Sequence, residues 1–170
     1  MIRRVLTLWI CSALLSPLPA LADLLEGRVV GVIDGDTVDV LAPGNEKLRV
    51  RLAEIDAPEK RQAYGARSKQ ALADLCFGKD AQVETKGRDR YGRTIGRVRC
   101  AGVDANAEQV RQGLAWVYDR YVTDRSLYAV QDAARSDRRG LWADQEPIPP
   151  WEWRRKSHKL AKLTPSSPSP

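Results

Sequence analysis

The apolar pattern opens with two valine-rich runs. Leu25 to Ile33 and Thr37 to Leu41 both predict strands. Ala42-Pro43-Gly44-Asn45 is a turn signal. Lys47-Leu48-Arg49-Val50-Arg51-Leu52 then alternates charged and apolar residues with period two, the mark of a half-buried strand. A helical pattern follows. Tyr64-Gly65 opens it, Ala66, Ala71, Leu72 and Leu75 supply its apolar positions, and Phe77-Gly78 ends it with a glycine suited to a left-handed stop. Ala81 to Thr85 and Thr94 to Cys100 predict two more strands, joined by a basic loop from Gly87 to Gly92. Asp104 suits the cap of a short helix ending at Gly113. Thr123-Asp124 suits the cap of a longer one, with Leu127, Val130, Ala134 and Leu141 along one stripe.

The order is three strands, a helix, two strands and two helices. It predicts an α+β fold: a five-stranded OB-type β-barrel with three α-helices. Such barrels often bind oligonucleotides, although a fold alone assigns no function.

The ends read differently. Arg3 and Arg4 precede an apolar run from Val5 to Leu15, which is too short to span a bilayer. Ser16-Pro17-Leu18-Pro19 breaks the run, and Ala20-Leu21-Ala22 is an A-x-A cleavage site. Residues 1–22 therefore read as a secretory signal peptide, the alternative being an uncleaved N-terminal anchor; the leader predicts an exported protein, periplasmic or extracellular, with no membrane attachment once it is removed. Residues 23–146 form the barrel domain. Residues 147–170, rich in Pro, Ser and Lys, read as a C-terminal tail, partly disordered. Its Trp151 and Trp153 either pack back on the domain or offer a stacking platform.

Composition narrows the chemistry. The leader carries two arginines and no acid, so the net charge falls from +6 to +4 on its removal. A basic exported domain suits a polyanionic partner. Beyond the leader only Cys76 and Cys100 remain. In an oxidising compartment they predict one disulfide, the alternative being two small buried thiols. The chain has a single histidine, His158, within the polar tail. That excludes a four-ligand zinc site with these cysteines, and with it Ser-His-Asp, Cys-His and other imidazole mechanisms. A general base must be a carboxylate, a lysine or a tyrosine.

Two clusters of polar residues remain. The first begins at Ile33-Asp34-Gly35-Asp36-Thr37-Val38, which alone reads as a solvated turn. The hairpin about residues 42–45 folds Asp36 back near Arg51, within about two residues of register. Asp56 and Glu59 follow at the same end, in Val50-Arg51-Leu52-Ala53-Glu54-Ile55-Asp56-Ala57-Pro58-Glu59. Like charges that close need compensation. Either a hard divalent cation supplies it, or the segment is a charged loop held by Arg51 and Lys60. The second cluster is Lys86-Gly87-Arg88-Asp89-Arg90-Tyr91-Gly92-Arg93. It is either a solvated basic hairpin or a phosphate-binding element, since arginine forks match phosphate and a tyrosine can stack on a base.

Taken in order, these motifs resemble those of the staphylococcal-type thermonucleases over about residues 25–143. The resemblance rests on Asp34-Gly35-Asp36-Thr37, then Arg51-Leu52 with Ile55-Asp56-Ala57-Pro58-Glu59, then Asp89-Arg90-Tyr91-Gly92-Arg93. Asn106 follows with Val110-Arg111-Gln112-Gly113-Leu114-Ala115, and Gly140-Leu141-Trp142 closes the last helix. It implies calcium-dependent phosphodiester hydrolysis in DNA and RNA by a monomer, leaving 3′-phosphates. By position, Asp36, Asp56 and the backbone carbonyl of Ala57 would ligate Ca2+. Glu59 would be the general base, and Arg51 and Arg93 would bind the phosphate. Arg90 and Tyr91 would contact the adjoining nucleotide, with Tyr118 and Tyr121 as candidate stacking rings. Glu54 departs from the family pattern; it either tunes metal choice or faces water. The segment from Glu59 to Tyr64 is shorter than the loop of the best-known secreted member, so substrate preference does not carry over. The alternative is a catalytically weak nucleic-acid-binding OB module.

Overall fold

Branched side chains pack well on a pleated surface, and the valine-rich runs are strands. The computed structural model describes residues 24–163; residues 1–23, which include the leader, and residues 164–170 lie outside the described residues. The barrel is built from β1 (Leu24–Asp34), β2 (Thr37–Leu41), β3 (Lys47–Leu52), β5 (Asp80–Arg88) and β6 (Thr94–Cys100). Three two-residue strands complete the set: β4 (Ile55–Asp56), β7 (Val103–Asp104) and β8 (Trp116–Val117). The order β3-β2-β1-β5-β6 closes on itself through a parallel β3–β6 pairing, with Val50 beside Thr94 and Arg51 beside Ile95. Val29, Val38, Val40, Val50, Leu52, Val83 and Val98 line the barrel interior and are fully buried.

Helix α1 (Gly65–Cys76) starts after Tyr64 and is followed by Phe77 and by Gly78, whose φ of 73° is left-handed. Helix α2 (Ala105–Arg111) is capped by Asp104, whose carboxylate accepts from the Ala107 N–H. Helix α3 (Ser126–Ser136) follows Arg125, and Asp124 just before it accepts from the Ser126 N–H through Oδ1 at 3.0 Å. Leu127 and Ala134 on its inner stripe are buried.

Cys76 and Cys100 form a disulfide that joins the end of α1 to the end of β6, 24 residues apart. Both are buried. A loop of that length places the contribution at about 3 kcal/mol. Replacing both cysteines by alanine should lower the melting temperature by roughly 10 °C in a calorimetric scan; an unchanged melt would show that the bridge adds nothing.

Arg97 ties α2 to α3. Its Nε lies 2.6 Å from Asp104 Oδ2 and its Nη1 2.5 Å from Asp124 Oδ2. Hydrogen bonds from Ser126 and then from Arg97 hold the Asp124 carboxyl at about 2, below its ordinary 3.8. A depressed carboxyl adds stability that is complete above its unfolded value and is lost as the folded value is reached. Melting temperature should therefore fall between about pH 4 and pH 2, and Asp124→Asn should flatten that fall. A wild-type slope in the variant would assign the acid loss elsewhere.

The helix count departs from expectation. A fourth helix, α4 (Pro150–Leu163), runs through the segment that composition marks as a tail. Pro150 fits the first helical position and Glu152 suits the first turn. The residues up to Leu163 are mainly strong helix formers. The average over 147–170 hides that run between two proline-rich ends.

Candidate active site

The β2–β3 register sets the site. Thr37 pairs with Arg51, so Asp36 stands beside that arginine at the barrel's end. The chain turns at Ala53-Glu54, with Glu54 at φ 67°, and returns through β4. Asp56 then pairs with Trp116 across β4–β8.

Arg51 is the hub. Its Nη1 lies 3.2 Å from Asp36 Oδ2, and its Nη2 donates to Asp56 Oδ1 at 2.9 Å. Nη1 also donates to the carbonyls of Leu52 and Ile55, both at 2.9 Å. Asp36 Oδ2 accepts from the Ala57 N–H at 2.7 Å, and Asp36 Oδ1 accepts from the Thr37 hydroxyl at 3.1 Å. Asp36, Arg51, Asp56 and Ala57 thus form one cluster, with both carboxylates buried. Burial raises the Asp56 carboxyl above its usual range; Arg154 and Arg51 pull it down, and Asp36 adds to the rise. Asp34 shares the turn, its Oδ1 accepting from the Asp36 N–H at 3.1 Å. Burial first, and then the Asp36 charge, push Asp34 up to about 6.

Gly35 is required by close approach. A Cβ there would lie 1.9 Å from Ser68 Oγ and 2.8 Å from the Ala57 Cβ. The buried Gln109 Nε2 donates to the Gly35 carbonyl at 2.5 Å and to the Ser68 carbonyl at 3.1 Å, which pins the turn to α1. Asn106 fixes the other side. Its Oδ1 accepts from the Val98 N–H at 2.9 Å, and its Nδ2 donates to the Ala53 carbonyl at 2.8 Å.

Glu59 joins this cluster through a residue of α4. Arg154 Nη1 donates to Glu59 Oε1 at 2.7 Å, and its Nη2 donates to Asp56 Oδ2 at 2.7 Å. Arg154 Nη1 also lies 3.3 Å from Asp56 Oδ1. Two arginines therefore hold Asp56, and both reach its Oδ1.

Arg93 sits apart, in the turn between β5 and β6. Asp89 Oδ1 accepts from the N–H groups of Tyr91 and Arg93, and Asp89 Oδ2 accepts from Arg93 Nε at 2.7 Å. The guanidinium of Arg90 lies 4.8 Å over the Tyr91 ring and that of Arg93 5.7 Å from it. Among the described residues, no ion pair joins Arg93 to Asp36, Asp56 or Glu59. The parallel β3–β6 ladder nonetheless puts Arg93 at the same end of the barrel as Arg51.

Tyr118 follows Val117, the ladder partner of Ile55, and donates its N–H to the Glu54 carbonyl at 2.8 Å. Its ring meets Tyr121 edge-on at 5.0 Å and lies flat against Trp151 of α4, at 5.3 Å and 3°. Trp151 also meets Trp116 edge-on at 5.8 Å. The tryptophan thus packs back on the domain.

The sequence around these residues matches known proteins. Residues 49–144, more than half of the chain, match the family described as staphylococcal nuclease homologue. The chain belongs to the staphylococcal nuclease family. It is 46% identical over 139 residues to a protein named an uncharacterized endonuclease from Escherichia coli O157:H7, covering 81% of this chain and 90% of the relative. It is 45% identical over 155 residues to a micrococcal nuclease from Shigella flexneri, covering 85% and 88%. It is 36% identical over 138 residues to a staphylococcal-like nuclease from Arabidopsis thaliana, covering 79% and 42%.

Within this staphylococcal nuclease fold, Glu54 neither faces water nor joins the acid pair. It is buried, and its Oε1 accepts from Lys86 Nζ at 2.9 Å, from the Thr123 N–H at 3.0 Å and from the Thr123 hydroxyl. Burial raises its carboxyl, but the hydrogen bonds from Thr123 and Lys86 outweigh that and hold it below its usual range. Glu54 is a clamp between the β3–β4 turn and the loop before α3. Sequence reasoning also missed Arg154. Its signal was the three-residue spacing from Trp151 behind Pro149-Pro150, which puts both side chains on one helical face.

The residues fit a hard cation by donor chemistry. Asp36 and Asp56 offer only carboxylate oxygen, and the Ala57 carbonyl adds a third oxygen, a set suited to Ca2+ with water in the remaining positions. Among the described residues, no three or more Asp, Glu, His or Cys side chains group as a metal site. Carbonyl and water oxygens would therefore have to complete any shell here.

Proposed function

We propose that the protein is an exported, calcium-dependent nuclease that hydrolyses DNA and RNA with little sugar specificity. The observation that carries this is Arg51, which bridges the buried Asp36 and Asp56 at one end of the barrel with Glu59 on the same arginine-linked network. The relatives' names support it, since several are nucleases or endonucleases. The leader pattern and the buried disulfide support export, because disulfides persist in oxidising compartments.

The reaction needs three functions from this chain. Asp36, Asp56 and the Ala57 carbonyl would hold the ion, which when bound supplies positive charge against the phosphate. Glu59, half-exposed, takes the proton from an attacking water. The water oxygen bonds to phosphorus as the P–O5′ bond breaks, and the leaving 5′-oxygen takes up a proton from solvent, giving a 3′-phosphate and a 5′-hydroxyl. Arg51 and Arg93 stabilise the charge that builds on the non-bridging oxygens, the largest single contribution in most such sites. The exposed pair Arg90 and Tyr91 is placed to meet the adjoining nucleotide.

The test is direct. Purified mature protein is incubated with DNA and with RNA, in calcium or in chelator. Cleavage of both in calcium, abolished by chelator, with 3′-phosphate termini, is the expected result. Binding without cleavage would make the protein a nucleic-acid-binding module instead.

A further inference from the structure

Helix α4 does something a terminal helix need not do: it occupies the site. Arg154 lays its guanidinium across Asp56 and Glu59, and Trp151, one turn earlier, covers a face of Tyr118. Asp56 is 1% exposed and Arg154 38%. The acid is fixed within the barrel, and the arginine is the partner free to leave. Burial lowers the Arg154 guanidinium, yet Asp56 and Glu59 outweigh it and raise it well above its usual value.

We propose that α4 is an autoinhibitory strap that competes with the metal ion and with the nucleic acid. The inference rests on the calcium-dependent reading above. Arg154 contacts both oxygens of Asp56, and a metal ion needs at least one of them. Two cations on one carboxylate repel, so bound metal and docked Arg154 weaken each other by the same factor. Glu59 is restrained by the same guanidinium, which keeps the base from a water while the strap is docked. A parallel stack leaves no room for a base between Tyr118 and Trp151. One helix thus blocks three functions, and metal with substrate releases it. The contact between residues 148 and 62, where Gln62 Nε2 donates to the Ile148 carbonyl at 2.6 Å, anchors the hinge of the strap. Pro149 and Pro150 stiffen the hinge on its helical side.

The test uses the full mature chain and Arg154→Ala, with Arg155→Ala as control. Arg155 is largely exposed and pairs only loosely with Glu152, at 3.8 Å. Calcium binding is measured by calorimetry without nucleic acid. Arg154→Ala should bind calcium about tenfold more tightly, a gain of about 1.4 kcal/mol, and Arg155→Ala should match wild type. Hydrogen exchange on the wild type should show α4 amides losing protection when calcium and a single-stranded oligonucleotide are added. Cleavage by Arg154→Ala should reach half-maximum at lower calcium. If Arg154→Ala binds calcium no tighter while wild type binds and cleaves, the strap is wrong and the nuclease reading stands. The same holds if α4 keeps its protection in the loaded protein. If neither protein binds calcium or cleaves, both readings fall.

Discussion

Glu59→Gln should lower the maximal rate of DNA cleavage by at least about 10²-fold, the scale of general-base loss. The substitution is nearly isosteric, and its amide oxygen can still accept from Arg154. Glu59 is half-exposed, so stability should stay within about 0.5 kcal/mol of wild type. A base acts on the proton only as the transition state forms, so the loss should fall in kcat with little change in KM. The variant also loosens one of the two carboxylates that hold Arg154, which should lower the calcium needed for half-maximal cleavage and leave the loss at saturating calcium unchanged. Near-normal cleavage by Glu59→Gln, in saturating calcium, would remove Glu59 from the reaction.

How the site is read from sequence depends on how far apart its parts are. Asp36 and Arg51 are legible because one hairpin sets both. The period-two pattern fixes the strand faces, and the turn at residues 42–45 fixes the register to within about two positions. Asp56 and Glu59 follow within eight residues of Arg51. The partner of Arg93 is also local, since Asp89 lies four residues earlier in the same turn. Arg154 reaches Asp56 across 98 residues, and Lys86 reaches Glu54 across 32. No periodicity links such pairs; only the closed barrel does. Glu54 is the sharper case. A glutamate at a turn suggests water, but its left-handed backbone turns the side chain inward onto Lys86 and Thr123. The tail misleads for a different reason. Composition averaged over 147–170 is that of a disordered segment, whereas the packing of Trp151 and the pairing of Arg154 order its first turns.

Arg51→Ala should be the costlier change, because it acts on the fold and on the rate together. Arg51 is only 15% exposed, and it makes contacts to two carboxylates and two carbonyls. Removing it leaves Asp36 and Asp56 buried with less compensation. Breaking a buried pair in this way costs about 3–5 kcal/mol, which a melt should show as a drop of roughly 10 °C or more. Cleavage should fall by at least about 10²-fold through loss of a preorganised donor to the phosphate. The two losses are separable. A cation bound by the acids replaces the missing charge, so added calcium should restore most of the melting temperature but little of the cleavage. Arg51→Lys should do the same without added calcium, since an ammonium keeps the charge but not the two-pronged fork. A variant whose rate recovers in step with its melting temperature would make Arg51 a structural residue alone, and the phosphate would then have to be held by Arg93.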